Sequence, residues 1–557
     1  MASVKRALLP RVTTVSVALV LLALASPAAG QQADSLAITP QELGARLRFL
    51  SSDLFEGRYP GTKGEALTTA YLVSELQGFG VIPGASSDGR DTAWLQPVTI
   101  LTHQPDSTSP TRASLSGRIK RGLAHGREIR LSNYGARPGV RAGGELVFVG
   151  YGIHAPMYGW DDFAGTDLRG KVAVARFGEP TFADDTVRFN GVRASRFSWH
   201  SEKLAEMERR GAVGVLWLWR HDSLPQGPVR GSRRLTADVT GGTLAFTGLL
   251  TDSTLAALLP PRTPPLARLL TTADKPGFRS IPLKVRLDVQ LRTRPVPVTT
   301  HNVVGVVPGL DSSLAREHVV LSAHWDAYGI GPPVNGDSIY NGALDDGSGT
   351  TALLALARTF ARHPQKRSLT FLFTTAEEWG LLGAHAFVCA GPLRPERMAA
   401  NLNLDDGIEL LGVKRDVAPL GIELSTLGAT VAQIAGKGGL RVSPDPYPEE
   451  GYFLRADNYP FARAGVPALY MALGTDAVGM SAGFVDAKVK EYLEKHYHQP
   501  SDEYETVALS LEGSRQFAEF VRDVTIAVAN GPKPAWLPRA EFQRPVGAAP
   551  SGQPCVR

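Results

Sequence analysis

The sequence predicts an α/β protein whose main sheet is mostly parallel and flanked by helices. Apolar runs after residue 300 show little polar alternation, which is typical of parallel strands buried on both faces. These runs are interleaved with longer segments of helical period, as expected when helices cover both faces of a sheet. The predicted strands are 302–307, 318–323, 368–374, 400–404 and 467–471, and the predicted helices are 348–362, 424–437 and 511–529.

Length and composition limit the possible classes of protein. A chain of 557 residues is too long for one ordinary hydrophobic core, and 43% apolar with 20% charged residues is typical of a soluble globular protein. The net charge of +5 is small, and basic residues form no long run, which argues against nucleic-acid binding. Cys389 and Cys555 have neither metal nor redox spacing, and their pairing stays open, as does the oligomeric state.

The first thirty residues have the pattern of a secretory signal peptide. Lys5, Arg6 and Arg11 accompany an apolar run at 15–25, and small residues follow at 26–30. An N-terminal membrane anchor is the alternative, but the run is short for a bilayer span of roughly 20 residues. We therefore expect a secreted or periplasmic protein with no stable membrane span after cleavage.

Residues 36–557 divide into four regions that differ in sequence pattern and composition. Residues 36–142 open with helical periodicity, and residues 143–288 show short β-like runs separated by glycine. Residues 289–531 carry the alternation of strands and helices. Residues 532–557 are rich in proline and glycine and are predicted to form a loose tail.

Side chains that can bind metals follow the predicted strands. They are His324 and Asp326 after 318–323, Asp345 and Asp346 in a glycine-bounded loop before a helix, Glu377 and Glu378 after 368–374, Asp405 and Asp406 after 400–404, and His498 before the last helix. Taken singly, such residues are usually turns, helix caps or solvated faces. In an open α/β sheet, however, the carboxyl ends of the strands line one edge, where ligand sites form. Together they indicate a metal site.

Two neighbouring Zn²⁺ ions suit this supply of ligands. Each zinc takes about four nitrogen or oxygen ligands, and a shared carboxylate and a shared water would join the pair. Such a water loses a proton near neutral pH, and an adjacent carboxylate accepts the proton and passes it to the leaving amine. One glutamate of the pair Glu377 and Glu378 can bind metal while the other stays free. The lack of cysteine among the candidates indicates a catalytic rather than a structural site.

At these residues the sequence resembles the zinc aminopeptidase family, which includes secreted dizinc aminopeptidases of bacteria and the larger glutamate carboxypeptidases. The resemblance extends over about residues 40 to 530. The matching stretches are Ala323-His-Trp-Asp-Ala, Gly342-Ala-Leu-Asp-Asp-Gly-Ser-Gly, Thr375-Ala-Glu-Glu-Trp-Gly-Leu-Leu-Gly, Asn403-Leu-Asp and Tyr497-His-Gln-Pro-Ser-Asp. Their order and spacing match throughout.

The resemblance implies a role for each candidate residue. The implied terminal zinc ligands are His324, Glu378, Asp405 and His498. Asp345 is implied to bridge the two metals and Glu377 to act as general base. Asp326 is implied to orient His324 from behind.

The resemblance extends beyond these motifs. The stretch that begins Leu50-Ser-Ser-Asp-Leu-Phe-Glu-Gly-Arg is similar to the family's N-terminal segment, which packs onto the catalytic sheet. Residues 143–288 resemble an inserted protease-associated domain, a β-rich module that in relatives lies beside the active-site mouth and helps to admit substrate.

The function that follows is removal of N-terminal residues from peptide substrates by an exported dizinc aminopeptidase. A second possibility is another enzyme of the same fold, either a carboxypeptidase for acidic C-termini or a glutaminyl cyclase with one zinc. A third is a non-catalytic, receptor-like binding protein that keeps the domains but loses the metal ligands.

Overall fold

The computed structural model of the chain confirms the predicted α/β fold class. Residues from Ile38 onward form one compact unit. The other unit, Met1–Ala37, lies almost wholly outside the described residues, as do the predicted signal peptide and Cys555. The described residues are 37–86, 93–106, 108–182, 184–185, 188–220, 224, 233–236, 243–538 and 540–542.

The strands of the described residues are numbered in chain order. They are β1 (Ile82–Pro83), β2 (Leu95–Pro105), β3 (Arg112–Gly117), β4 (Arg121–Leu123), β5 (Ile129–Asn133), β6 (Gly139–Phe148), β7 (His154–Ala155), β8 (Trp160–Asp161), β9 (Val172–Arg176), β10 (Gly214–Trp219), β11 (Arg234–Leu235), β12 (Phe246–Thr251), β13 (Ile281–Val307), β14 (His318–His324), β15 (Gly329–Val334), β16 (Asp337–Tyr340), β17 (Ser368–Thr374), β18 (Met398–Leu404), β19 (Asp416–Val417), β20 (Arg441–Val442) and β21 (Ala468–Met471).

The α-helices of the described residues are also numbered in chain order. They are α1 (Pro40–Leu50), α2 (Lys63–Phe79), α3 (His200–Arg209), α4 (Asp252–Leu258), α5 (Leu266–Ala273), α6 (Ser348–Arg362), α7 (Leu382–Ala390), α8 (Leu427–Lys437), α9 (Tyr452–Arg455), α10 (Asn458–Arg463), α11 (Phe484–Lys495), α12 (Tyr504–Val507) and α13 (Leu511–Asn530). A 3₁₀ turn, Asp53–Arg58, connects α1 to α2.

Four parallel strands form the centre of the first sheet, in the order β21, β18, β14, β17. The register brings strand ends level, because His324 at the end of β14 lies opposite Thr374 at the end of β17. Strand β13 continues the sheet antiparallel to β17, and β2 and β11 follow it. The parallel strands match the prediction, whereas the antiparallel edge was not expected.

Helices cover both faces of this sheet. Val319 and Leu321 of β14 belong to an apolar core that includes α6 and α13. Val320, which points the other way, packs with residues of α7 and α10. Strand residues are therefore buried on both sides, and each large apolar side chain so buried contributes about 1.5–3 kcal/mol. This burial explains why the strand sequences lack polar alternation.

Strand β13 belongs to two sheets. Its residues 293–307 pair with β2 and β17, whereas residues 281–292 pair with β6. The second sheet has the order β5, β12, β10, β9, β6, β13, β3, β4, in which the four strands from β12 to β6 are parallel. Helix α3 covers one face, while α4 and α5 cover the other.

The second sheet begins at β3 rather than at the predicted boundary of residue 143. Strand β3 enters this sheet by pairing with β13, and β5 enters by pairing with β12. Pairing between segments so far apart in the chain cannot be read from local sequence pattern. That this module is a protease-associated domain stays a prediction.

The segment after α13 packs against the apolar core on one face of the first sheet. The Trp536 indole Nε1 donates to the Gly465 carbonyl at 3.0 Å. Phe542 is buried, and its ring centroid lies 5.5 Å from that of Trp536. The prediction of a loose tail is therefore wrong for residues 532–538 and 540–542, because apolar rings hold a segment whose composition suggested disorder. Residues 543–557 lie outside the described residues.

Within the described ranges, we find no helix that combines the length and the apolar character needed to cross a bilayer.

Candidate metal centre

The parallel strands bring the predicted ligands to one edge of the first sheet. His324 is the last residue of β14, and Asp405 directly follows β18. Glu377 and Glu378 lie just beyond β17, where Ala376 takes a positive φ of 54° that turns the chain out of the strand. Because these three strands are adjacent and parallel, their carboxyl ends meet at one place.

One group of possible ligands consists of His324, Asp345 and Asp405. Their ligand atoms all lie within 4.8 Å of one another. The His324 Nε2 atom is 3.1 Å from Asp345 Oδ1 and 3.7 Å from Asp405 Oδ1. The Tyr470 hydroxyl donates to the Asp405 carbonyl and holds that residue beside the strand end.

A second group consists of Asp345, Glu378 and His498, again with ligand atoms within 4.8 Å of one another. The His498 Nε2 atom lies 3.2 Å from Asp345 Oδ2 and 3.3 Å from Glu378 Oε2. Asp345 thus takes part in both groups, with Oδ1 toward His324 and Oδ2 toward His498. The structure therefore brings together all five residues that the sequence predicts as ligands.

Asp326 is fully buried behind His324. The Nδ1 atom of His324 is 3.0 Å from the backbone carbonyl of Asp326 and 3.8 Å from its carboxylate Oδ1. That same Oδ1 accepts the backbone N–H of Glu377 at 3.1 Å. Asp326 therefore contacts both the histidine that it was predicted to orient and the residue predicted as general base.

The electrostatics of the centre are dominated by buried carboxylates. Burial raises the pKa of the Glu377 and Glu378 carboxyl groups well above the ordinary range, and neighbouring carboxylates add to the rise. Burial also acts to raise the pKa of Asp345, but hydrogen bonds from His324 and His498 bring it below its ordinary value. Burial acts to lower the pKa of His324, yet the surrounding carboxylates raise it well above its ordinary value.

The residues present fit a pair of zinc ions. Two buried carboxylate oxygens, Glu378 Oε1 and Asp326 Oδ2, have no hydrogen-bond partner among the described residues. Carboxylates outnumber imidazoles at the centre, so bound cations would offset a surplus of buried negative charge. Imidazole nitrogen and carboxylate oxygen are the ligand atoms of catalytic zinc sites.

Sequence reasoning gave no role to Asp502, which supports the Asp345 loop. Its Oδ1 accepts the backbone N–H of Leu344 at 2.9 Å, and its Oδ2 accepts that of Asp345 at 3.3 Å. The Tyr492 hydroxyl donates to Oδ2 at 3.0 Å. Burial raises the pKa of the Asp502 carboxyl to about 7. Asp502 is the last residue of the motif that contains His498, and its place in that motif was the sequence signal that could have identified it.

Sequence reasoning also gave no role to four further residues near the centre. The Thr374 hydroxyl donates to the buried carboxylate of Asp457. The Arg455 guanidinium lies 3.3 Å from the Tyr497 hydroxyl, measured from Nη2, and both side chains line the cavity over the predicted ligands. Arg455 and Tyr497 are too far apart in sequence for a local pattern to pair them.

A cavity of about 330 Å³ opens over the centre. Its carboxylate lining comprises Asp345, Glu377, Glu378, Asp405, Asp406 and Asp445. Its apolar lining includes Ile408, Leu411, Leu420, Val489 and Leu493. Trp199 and His200, at the start of α3, add a wall from the part of the chain that carries the second sheet.

Comparisons with known proteins agree with this geometry. Residues 302–525 match the model of peptidase family M28, and this span includes all the predicted site residues. The probable leucine aminopeptidase 2 of Aspergillus oryzae is 35% identical over 104 residues, which cover 19% of this chain and 18% of that protein. A vacuolar membrane protease of Kluyveromyces lactis is 35% identical over 105 residues, which cover 19% of this chain and 10% of that protein.

A solved structure also matches over most of the chain. The solved structure of an aminopeptidase from Aneurinibacillus sp. strain AM-1 is 20% identical, covers 89% of this chain and 95% of that one, and has a TM-score of 0.48. The chain spans less than a fifth of the length of the two curated relatives. The predicted resemblance to zinc aminopeptidases is confirmed over residues 302–525. Zinc as the cofactor is supported by the two groups of ligand atoms and by a probable zinc metalloprotease of Pyrenophora teres f. teres, which is 34% identical over 112 residues that cover 20% of this chain and 23% of that protein.

Proposed function

The chain carries a peptidase family M28 region at residues 302–525, and from this premise we propose that it is a dizinc aminopeptidase. The observation that carries the proposal is the sharing of Asp345 between two groups of ligand atoms. His324 and Asp405 would hold one ion, Glu378 and His498 the other, and the two oxygens of Asp345 would bridge them. When bound, the zinc pair supplies the positive charge that lets a water molecule lose a proton near neutral pH.

Glu377 is the proposed general base. Its backbone is fixed by the bond from its N–H to Asp326, and its side chain lines the cavity beside the ligands. The carboxylate accepts a proton from the attacking water and passes it to the amine that leaves when the carbon–nitrogen bond breaks. Arg455 and Tyr497, which face the same cavity, are placed to donate to the carbonyl oxygen as it gains negative charge.

The charge of the cavity favours a substrate with a free amino terminus. Its lining has six carboxylates, named above, and one guanidinium, that of Arg455, as its only arginine or lysine among the described residues. Asp406 and Asp445 are not proposed metal ligands; each accepts one backbone N–H, and we propose that they also attract the ammonium group of the substrate. A carboxypeptidase is the second candidate, and Arg455 is the observation that favours it, since guanidinium binds carboxylate well.

The test of the mechanism is Glu377→Gln. We expect this variant to keep both zinc ions, measured by elemental analysis of the purified chain, and to lose turnover by a factor of about 10² to 10⁴ or more. Glu519→Gln, which changes a carboxylate on α13 that pairs with Arg515, is the control and should keep wild-type turnover. Substantial activity in zinc-loaded Glu377→Gln would refute the role of Glu377 as base.

The test of the metal bridge is Asp345→Ala. We expect the zinc content to fall from two ions per chain to one or none, because each ion loses a ligand. Two firmly bound ions in this variant would remove Asp345 as the bridge.

The substrate is tested with two peptide sets assayed side by side. One set has free amino termini, and the other has blocked amino termini and a C-terminal glutamate. The proposal expects cleavage of the first set only. Cleavage confined to the blocked peptides would replace the aminopeptidase by the carboxypeptidase.

We also propose that the chain is exported. The support is the basic and apolar pattern of residues 1–30. Fractionation of cells that express the full chain, with amino-terminal sequencing, should give a mature protein outside the cytoplasm that begins near residue 30. A cytoplasmic protein that retains residue 1 would contradict export.

A further inference from the structure

We propose that Arg58 is a positioning residue of the metal centre: it holds the loop that carries Asp345 against the strand end that carries His324. The inference rests on the proposed dizinc function. Arg58 lies outside the span matched by the family model and far from every predicted ligand in sequence. It ends the 3₁₀ turn between α1 and α2.

The side chain of Arg58 is fully buried and bonds entirely to backbone carbonyls. Its Nε donates to the Trp325 carbonyl at 2.7 Å. Its Nη1 donates to Asn341 at 2.5 Å and its Nη2 to Gly342 at 2.7 Å. A fourth bond, of 3.2 Å, connects Nη1 to Leu50 at the end of α1.

These bonds join the two segments that carry the ligands. Trp325 stands between His324 and Asp326, so its carbonyl belongs to the strand end itself. Asn341 and Gly342 open the loop that leads to Asp345. Because guanidinium is planar and its donors have fixed directions, binding both segments at once fixes their separation.

The loop is also held from its other side. Arg58 binds carbonyls at its start, whereas Asp502 binds the amides of Leu344 and Asp345. Asp502 lies close enough to Arg58 to interact with it electrostatically, as do Asp326 and Asp345. The guanidinium is therefore a fixed positive charge among carboxylates that would otherwise repel one another, and it brings them together without binding metal itself.

Another buried arginine provides a matched control. Arg367 is 3% exposed, and its Nη1 donates to the carbonyls of Val528 at 3.0 Å and Gly531 at 2.6 Å. Its Nε binds Glu317. It therefore binds backbone carbonyls as Arg58 does, but those carbonyls lie at the end of α13, where no predicted metal ligand adjoins them.

The experiment compares Arg58→Lys with Arg367→Lys in the full chain. Zinc affinity is measured by competition with a chromogenic chelator, and the absorption spectrum is recorded after replacement of zinc by cobalt. We expect Arg58→Lys to bind at least one ion about ten to a hundredfold more weakly, with an altered cobalt spectrum. Arg367→Lys should keep the wild-type affinity and spectrum even where its thermal stability falls.

Two results would overturn the proposal. One is wild-type zinc affinity and spectrum in Arg58→Lys, and the other is an equal loss of zinc in both variants, which would make Arg58 merely structural. A wild-type chain that binds no zinc pair would instead remove the proposed function itself, so the two failures are distinguishable.

A second variant, Arg58→Gly, keeps the proposal testable if Arg58→Lys does not fold. Arg58 has a positive φ of 49°, which glycine adopts freely, so this change leaves the backbone unstrained. Millimolar guanidinium should refill the vacated site and restore zinc affinity to folded Arg58→Gly. Zinc affinity that stays low after guanidinium addition would count against the proposal.

Discussion

Phe542→Ala tests whether the C-terminal segment is part of the folded protein. Phe542 is only 6% exposed. Its ring centroid lies 5.5 Å from that of Trp536 and 6.0 Å from those of Phe453 and Tyr459. These contacts connect the segment after α13 to α9 and α10, which belong to the same apolar core as one face of the first sheet.

The magnitude follows from the burial of the ring. An aromatic side chain buries at least about 150 Å², which at about 25 cal/mol per Å² corresponds to roughly 4 kcal/mol. Replacing a buried phenylalanine by alanine costs about 3–5 kcal/mol. We expect a loss at the lower end of this range, about 3 kcal/mol, because the ring is not completely buried.

The assay is urea unfolding of the full chain, followed by circular dichroism and by tryptophan fluorescence. Leu537→Ala is the matched control, because Leu537 lies on the same segment but is 39% exposed. It should change the free energy of unfolding by no more than about 0.5 kcal/mol. An equally small change for Phe542→Ala would refute the packing argument and restore the loose tail.

The remaining predictions concern the cavity wall and the metals. Glu202→Gln should lower stability by about 1–3 kcal/mol in urea, because partly buried Glu202 binds Arg463 Nε at 2.6 Å and accepts the Tyr459 hydroxyl at 3.2 Å; an unchanged midpoint would show that α3 is not held by these bonds. Trp199→Ala should keep two zinc ions but change kcat/KM unevenly across a peptide panel, since Trp199 lines the cavity, whereas a uniform effect would exclude it from selectivity. Chelation should lower the melting temperature reversibly. When free zinc is at about a thousandfold excess over Kd, each bound ion adds about 4 kcal/mol to the free energy of unfolding, and chelation removes this contribution. An unshifted melting curve would contradict metal binding at this centre.

The position of the candidate metal centre was predictable because the end of each strand can be read from the local sequence. Each apolar run predicts a strand, and the polar residues that follow the run lie at the end of that strand. His324, Glu378 and Asp405 all follow this rule. Parallel pairing of β14 with β17 and β18 then brings them together without any further information.

The features that sequence reasoning missed depend on distant partners. Arg58 binds the Trp325 carbonyl across 267 positions of sequence, and a buried arginine looks like an exposed one in sequence alone. Strand β3 belongs to the second sheet because it pairs with β13, not because of its own pattern. The C-terminal segment was misjudged because composition reports average solubility, whereas two rings, those of Trp536 and Phe542, are enough to hold it.

The predicted ligands at strand ends and those on loops are positioned in different ways. Ligands at strand ends are fixed by backbone hydrogen bonds between strands, which a single substitution elsewhere disturbs little. Asp345 and His498 lie on loops, and their separation depends on side chains that bind the loop backbone, such as Asp502. In the proposed dizinc centre, the position of the Asp345 carboxylate therefore depends most on residues that bind no metal. We expect variants of such residues to lose one zinc ion before they lose the fold.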